Sequence, residues 1–315
     1  MPRIDNPKSP LVPRLQGLHL FHFEGAPCAQ RVRFALAEKG LTRDRDVAWQ
    51  SDAPDTLVAE TGTWISRHVS LVKKDHLTDA YAAIHPNLVV PALVHDGRLY
   101  IESMDIDDYI DATWPQNRLL PDDADRAALT RSLVAQAKAL HVSVRYVSFR
   151  WGLGRLGKLN ANDEENLRRL ETDGSPEHLV SFYERYDRGQ IEEATFAEHL
   201  AALEGGYATL ERLLSADGRP FLTGDSFTIA DIIWSLKVLR IEECGYPFAA
   251  NFPALFAWYG RVTNRPAFKE GVMSRHTAMS RTFKLKAAAA NLMGHGLKQA
   301  SRRQERAAGD AARAV

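Results

Sequence analysis

The chain changes character once, between residues 115 and 124, and that change restricts what it can fold into. Every convincing strand signal comes before it. From Asp125 to the end the apolar residues recur at helical spacing and no run reads as a strand. A segment that mixes strands and helices, followed by one that is helical throughout, predicts two domains of different class, α/β and then all-α. The 315 residues are enough for two domains of ordinary size.

The first segment can be read further. Leu18 to Phe23 (LHLFHF) is a short apolar and aromatic strand. Glu24-Gly25-Ala26-Pro27 breaks it, and Pro27 suits the first turn of a helix, where its missing N–H costs nothing. That helix runs to about Lys39, with Val32, Ala35 and Leu36 on one face and Gly40 as its stop. Trp49 to Arg67 reads as a long loop, His68 to Val72 as a strand and Leu77 to Ile84 as a short helix. Val89 to Val94 is an apolar strand entered through Pro91. His95-Asp96-Gly97 supplies hairpin chemistry, and Arg98 to Ile101 returns antiparallel. Glu102-Ser103 then opens a helix with Ile106, Tyr109 and Ile110 at helical spacing, closed by Trp114-Pro115. The all-α part carries helical patterns over residues 125–153, 177–186, 195–214, 228–243 and 253–264.

Composition removes some classes of function. Lys+Arg and Asp+Glu are equal at 40 each, so no net field draws the molecule to nucleic acid or to an acidic membrane. No apolar run reaches the roughly 20 residues of a membrane span, and Met1 to Gln16 lacks the apolar stretch of a signal peptide. Cys28 and Cys244 give neither a disulfide framework nor metal-ligand spacing. The expectation is a cytoplasmic protein without a metal. One local bias stands out after Val272, where Arg275, Arg281, Lys284, Lys286, Lys298, Arg302, Arg303, Arg306 and Arg313 face only Glu305 and Asp310. This tail reads either as a solvated end or as an anion-binding segment.

Two short motifs carry chemistry. A proline entering a buried strand removes a ladder donor. As a cis bond, Val90–Pro91 would turn the Val90 N–H and C=O outward, free to pair with an extended peptide; the alternative is an ordinary trans proline at a strand start. Glu102-Ser103 stands where a strand ends and a helix begins. The Ser103 hydroxyl and the helix N-terminus suit a carboxylate, and the Glu102 carboxylate suits an ammonium, which together match an α-amino acid head group. The alternative is a capping pair.

These motifs resemble those of the cytosolic glutathione S-transferases. VVPALVHDGRLYIES (residues 89–103), preceded by KKDHLTDAYAAIHPN (73–87), is similar to the family's glutathione-site signature. GAPCAQRVRFALAEKG (25–40) resembles the first turn and helix of the zeta, omega and bacterial classes. FLTGDSFTIADI (221–232), with Thr228 and Asp231 in a capping box, resembles the helical domain's N-capping segment, and NFPALFAWYGRVTNRPAF (251–268) its late helix. The resemblance covers residues 17–272 and implies the glutathione transferase fold. A thioredoxin-like domain with a mixed four-stranded sheet would occupy 17–115 and a helical bundle 122–272, between an N-terminal extension (1–16) and the basic tail (273–315). It also implies a homodimer, glutathione as co-substrate, and a small electrophile as second substrate.

The resemblance assigns roles residue by residue. Val90 would bond the glutathione cysteine through its backbone, with Pro91 cis; Glu102 and Ser103 would hold the γ-glutamyl end, and His76 would contact the peptide. The position where theta, zeta and omega classes place the Ser or Cys that activates the thiol is Ala26, which has no donor to give. Three substitutes are open: Cys28 in the helix's first turn, His22 at the strand end, or backbone N–H groups around Ala26 to Cys28 acting as an oxyanion hole does. His141 to Trp151 places Arg145, Tyr146, Phe149 and Arg150 on one helix, suited to an aromatic and perhaps acidic substrate or else to ordinary helix packing. The implied activity is attack by glutathione thiolate on an electrophilic carbon, as in β-aryl ether cleavage or dehalogenation. The alternatives are a non-catalytic glutathione carrier or interaction protein, favoured by Ala26, and a thiol–disulfide enzyme working through Cys28.

Overall fold

The computed structural model describes residues 3–154 and 179–302. Its described residues fall into two compact units, one of 3–118, 179–182 and 266–275, the other of 119–154, 183–265 and 276–302. The basic residues Arg303, Arg306 and Arg313 lie outside the described residues, as does the start of the helical pattern at 177–186.

The first unit is built on a sheet of β1 (Arg3–Ile4), β2 (Leu18–His22), β3 (Thr42–Ala48), β4 (Thr63–His68), β5 (Ala92–His95) and β6 (Arg98–Tyr100), in the order β1-β6-β5-β2-β4-β3. The sheet is mixed: β2, β4 and β3 run parallel, while β5 and β6 form an antiparallel hairpin against β2. It has six strands rather than the expected four. β3 was invisible in the sequence because TRDRDVA is an edge strand whose residues alternate between exposed and half-buried, with no apolar face. Apart from His68, β4 falls inside the stretch read as a loop; of the strand expected over 68–72 only His68 belongs to the sheet, and Val69–Val72 leaves it. The mixture of Pro, Asp, Gly and Thr over 49–67, with few periodic apolar positions, reads as loop, yet Arg67 within it is fully buried and its guanidinium donates to the carbonyls of Trp49 (3.2 Å), Ser51 (2.8 Å) and Thr56 (2.6 Å). One buried arginine thus fastens the 49–56 segment to the sheet.

One apolar cluster of this unit joins Leu15, Phe21, Trp49, Tyr81, Val90, Val94 and Leu99. Helices α1 (Pro27–Glu38) and α2 (Ser103–Thr113) pack on each other. Their contact is unusually polar: Arg31 pairs with Asp107 and Lys39 with Asp111, each at 2.6 Å and nearly out of water. The segment Lys269–Met273 also packs on α1. A Cβ on Gly271 would stand 2.6 Å from the Arg33 carbonyl oxygen, so only glycine permits this approach.

Among its described residues the second unit is built of helices joined by turns, with no strand beyond one isolated bridge, Phe221 to Gly224. It contains α3 (Ala124–Ala139), α4 (His141–Ser148), α5 (Leu179–Asp187, shared at its start with the first unit), α6 (Glu193–Asp217), α7 (Ile229–Glu243), α8 (Pro253–Thr263) and α9 (Thr277–Leu292). The helix predicted over 125–153 is broken at Leu140, and its last turn, Phe149–Leu153, is π-helical. α7 is buried on nearly every side and starts with the predicted Thr228–Asp231 capping box. No described helix is long and apolar enough to cross a membrane.

Candidate functional site

Strand register brings the predicted glutathione segments to one end of the sheet. β2 pairs with β5 antiparallel, Phe21 opposite Ala92, so the end of β2 lies beside the start of β5. The loop Phe23–Ala26 therefore leaves the sheet next to Val90–Pro91. β6 runs antiparallel to β5 with Tyr100 opposite Leu93, which carries Ile101, Glu102 and Ser103 to the same end. β4 is parallel to β2 with His68 opposite His22, so the stretch leading to His76 departs from there as well. Four separate segments converge because two strands end and one begins at this edge, and the hairpin returns to it.

Each segment is fixed by its own contacts. Val90–Pro91 is a cis peptide bond. The buried Tyr81 hydroxyl donates to the Val89 carbonyl at 2.9 Å and its ring packs edge-on against Trp49. Glu102 has φ 63° and ψ 110°, a left-handed conformation uncommon for a residue with a side chain. Its side chain makes no capping bond; it accepts from Asn87 Nδ2 at 3.1 Å, while its carbonyl accepts the first intrahelical bond, from the Ile106 N–H. The capping alternative for Glu102 is therefore not what the backbone uses. Ser103 is the first residue of α2 and half-buried. His76 sits half-buried in the turn Asp75–Leu77. Non-glycine residues held at such φ/ψ values concentrate at functional sites, where surrounding contacts over-determine them. Asn87 was the residue the sequence did not single out, and its place two residues before the VVP motif was the available signal.

The three candidate thiol activators separate clearly. His22 is fully buried, with Nε2 at 2.7 Å from Ser66 Oγ and Nδ1 at 3.0 Å from Arg33 Nη1. Burial, reinforced by the Arg33 and Arg43 charges, holds its pKa well below the ordinary histidine value. Both ring nitrogens are engaged and none of the side chain reaches solvent, so His22 serves the interior of the unit and not the loop surface. Cys28 is half-buried at the second position of α1. Ala26 is the helix N-cap, but its own N–H already donates to the Phe23 carbonyl at 3.2 Å. The backbone donors of this turn are instead the N–H groups of Cys28 and Ala29, which have no intrahelical acceptor.

The predicted second-substrate residues lie in the helical unit. Tyr146 and Phe149 are buried, 6% and 8% exposed. Tyr146 lies against His199 with the rings tilted by 33° and 4.0 Å apart, and Phe149 meets Tyr183 and Tyr186 edge-on, both at 5.5 Å. Their rings are used in packing α4 and the following turn against α5 and α6. Arg145 is half-buried on α4.

A thioredoxin-like sheet with a cis proline at its hairpin, joined to an all-helical unit with an N-capping box, defines a class that the comparisons with known proteins identify. The glutathione S-transferase N-terminal domain model matches residues 20–118 and the C-terminal domain model residues 193–261. The maleylacetoacetate isomerase of Mus musculus is 30% identical over 224 residues, 71% of this chain and 78% of that protein. The 2,5-dichlorohydroquinone reductive dechlorinase of Sphingobium indicum is 26% identical over 289 residues, 81% of this chain and 82% of its own length. Among solved structures, the beta-etherase LigF from Sphingobium superimposes with a TM-score of 0.66 at 22% identity, covering 82% of this chain and all of that one. The chain belongs to the glutathione S-transferase family, enzymes that use glutathione as co-substrate.

Proposed function

We propose that the converged sheet end binds glutathione and activates its thiol for attack on an aromatic electrophile. Val90 pairs with the cysteinyl backbone, Glu102 and Ser103 take the ammonium and carboxylate of the γ-glutamyl end, and His76 contacts the peptide. The convergence of the four segments through strand register carries this reading. The Cys28 and Ala29 N–H groups stabilise the thiolate without a side-chain donor, in the manner of an oxyanion hole. The thiolate then forms a carbon–sulfur bond, and the leaving group departs with the electron pair of the bond that breaks, as chloride or as a phenoxide that takes a proton from water.

The relative named as a chlorohydroquinone dechlorinase supports an aromatic substrate, and a thiol site without the family's usual hydroxyl suits a specialised catabolic enzyme. The test is a panel of chlorinated hydroquinones, β-aryl ethers and simple aryl halides, followed for glutathione-dependent release of chloride or phenol. Turnover of at least one aromatic substrate, lowered in Ser103→Ala, is the expected result. Turnover of none, or equal turnover by the variant, would overturn the reading.

A further inference from the structure

The first loop has little to fix it from within. Ala26 caps α1 with no side-chain bond, and Gly25 and Ala26 bring no donor or acceptor of their own beyond the backbone. What holds the loop comes from the middle of α1. Arg33 is 1% exposed, and its guanidinium donates to the Glu24 carbonyl (2.9 Å), the Phe23 carbonyl (3.4 Å) and His22 Nδ1 (3.0 Å). Its Nε donates to the Gly271 carbonyl at 2.8 Å, and it pairs with the Glu24 carboxylate at 3.3 Å. A guanidinium has five N–H donors and no acceptor. The His22 Nδ1 must therefore be the acceptor, the proton sits on Nε2, and that N–H donates to Ser66 Oγ. The histidine that looked like a proton acceptor is a neutral spacer locked between β4 and Arg33.

The surrounding charges complete the clamp. Burial pushes the Glu24 carboxyl up, but Arg33 and Arg43 outweigh it and hold its pKa below the ordinary value. Arg43 donates to both Glu24 oxygens, at 2.6 and 3.3 Å, and its guanidinium lies 4.9 Å over the Trp64 ring. Asp46 meets Arg43 at 3.3 Å and also pairs with Arg275. The carbonyls of Phe23 and Glu24 and the Glu24 carboxylate are thus all held by side chains of α1 and β3, just before the turn that begins α1.

We propose that Arg33 is a positioning residue of the thiol site, clamping the first loop so that the backbone donors at the start of α1 stand preorganised toward the glutathione sulfur. The inference rests on the glutathione site proposed above. Its physical basis is that donors fixed in place stabilise developing charge without reorganising, and that a displacement of about 1 Å in such a group costs on the order of a hundredfold in rate. An arginine that only stabilised the fold would, when changed, leave the ionisation of the bound thiol where it was.

The test is Arg33→Lys in the full chain. Lysine keeps the charge but cannot span three carbonyls, an imidazole and a carboxylate at once. The readout is the ultraviolet absorbance of the glutathione thiolate on the enzyme, followed against pH where circular dichroism shows both proteins folded. Wild type is expected to titrate below free glutathione, with Arg33→Lys displaced upward by about one unit, a tenfold loss of thiolate at low pH, and with glutathione affinity kept within about threefold. A folded Arg33→Lys that binds glutathione and titrates like wild type overturns the inference. If Arg33→Lys does not fold, Glu24→Gln, which keeps the shape but weakens the clamp, carries the same test: an upward displacement supports the inference and an unchanged titration overturns it. A wild type that does not bind glutathione overturns the site reading and this inference together; binding with a lowered thiol pKa that neither variant alters overturns the inference alone.

Discussion

Replacing Asp231 with alanine removes the acceptor of four buried hydrogen bonds. The Asp231 side chain is fully buried at the third position of α7. Oδ1 accepts from the Leu222 N–H at 2.9 Å and the Trp258 indole N–H at 2.8 Å. Oδ2 accepts from the Thr228 N–H at 2.9 Å and the Thr228 hydroxyl at 3.0 Å. Leaving a buried donor unsatisfied costs about 1–3 kcal/mol, and because the four share one acceptor their losses do not add fully. A combined loss of roughly 4–6 kcal/mol is expected, a large fraction of the 5–15 kcal/mol that typically separates folded from unfolded. Thr228→Ser keeps both the hydroxyl and the N–H and should cost less than about 1 kcal/mol. Urea denaturation followed by far-ultraviolet circular dichroism measures both variants, with the slope checked so that a shifted midpoint reports stability. A loss under about 1.5 kcal/mol in Asp231→Ala at unchanged slope would refute the claim that this carboxylate ties α7 to the Leu222 turn and α8.

If backbone N–H groups stabilise the thiolate as proposed, Cys28→Ala should keep the glutathione-dependent rate within about tenfold; a loss beyond roughly a hundredfold, about 2.7 kcal/mol in the barrier, would make Cys28 the activator. Burial lowers the pKa of His85 to about 4, whereas the unfolded chain takes up that proton near 6.5. The folded state then binds fewer protons between those values, so stability falls as pH drops through the window, by on the order of 3 kcal/mol at full extent. Asp107, lifted to about 7 by burial against the pull of Arg31, titrates in the opposite sense, so the quantity to measure is a difference. Between pH 7 and 4.5 the urea midpoint should fall more in wild type than in His85→Phe, and equal falls would show that His85 is not the acid-labile group. Light scattering at micromolar concentration should give a dimer, and a monomer would count against the family's assembly applying here.

The division into an α/β part and a helical part was legible because hydrophobic period and turn chemistry agree with each other in this chain. β2, α1, the β5–β6 hairpin and the α7 capping box all follow from local signals of that kind. What escaped was held by polar residues in unexpected places. β3 has no apolar face to reveal it, and β4 lies in a stretch rich in Pro, Asp, Gly and Thr, where the buried Arg67, not an apolar pattern, closes the backbone of the 49–56 segment. The same blindness affected the site. Sequence puts His22 at the end of a strand and Ala26 in the loop after it, but cannot say that the imidazole is sealed by Arg33 or that the Ala26 N–H is already used. Tyr146 and Phe149 looked equally suited to a substrate and to a neighbouring helix, and only their burial shows that the helices take them.

Glutathione is proposed to bind at the sheet end through Glu102 and Ser103. Isothermal titration of glutathione into wild type, Ser103→Ala and Glu102→Gln measures that binding. A charge-assisted hydrogen bond from the Ser103 hydroxyl to the γ-glutamyl carboxylate is worth about 1.5–3 kcal/mol, so Kd should rise about tenfold to a hundredfold in Ser103→Ala, with a similar rise in Glu102→Gln. Unchanged affinity in both folded variants, or no binding to wild type, would contradict the account.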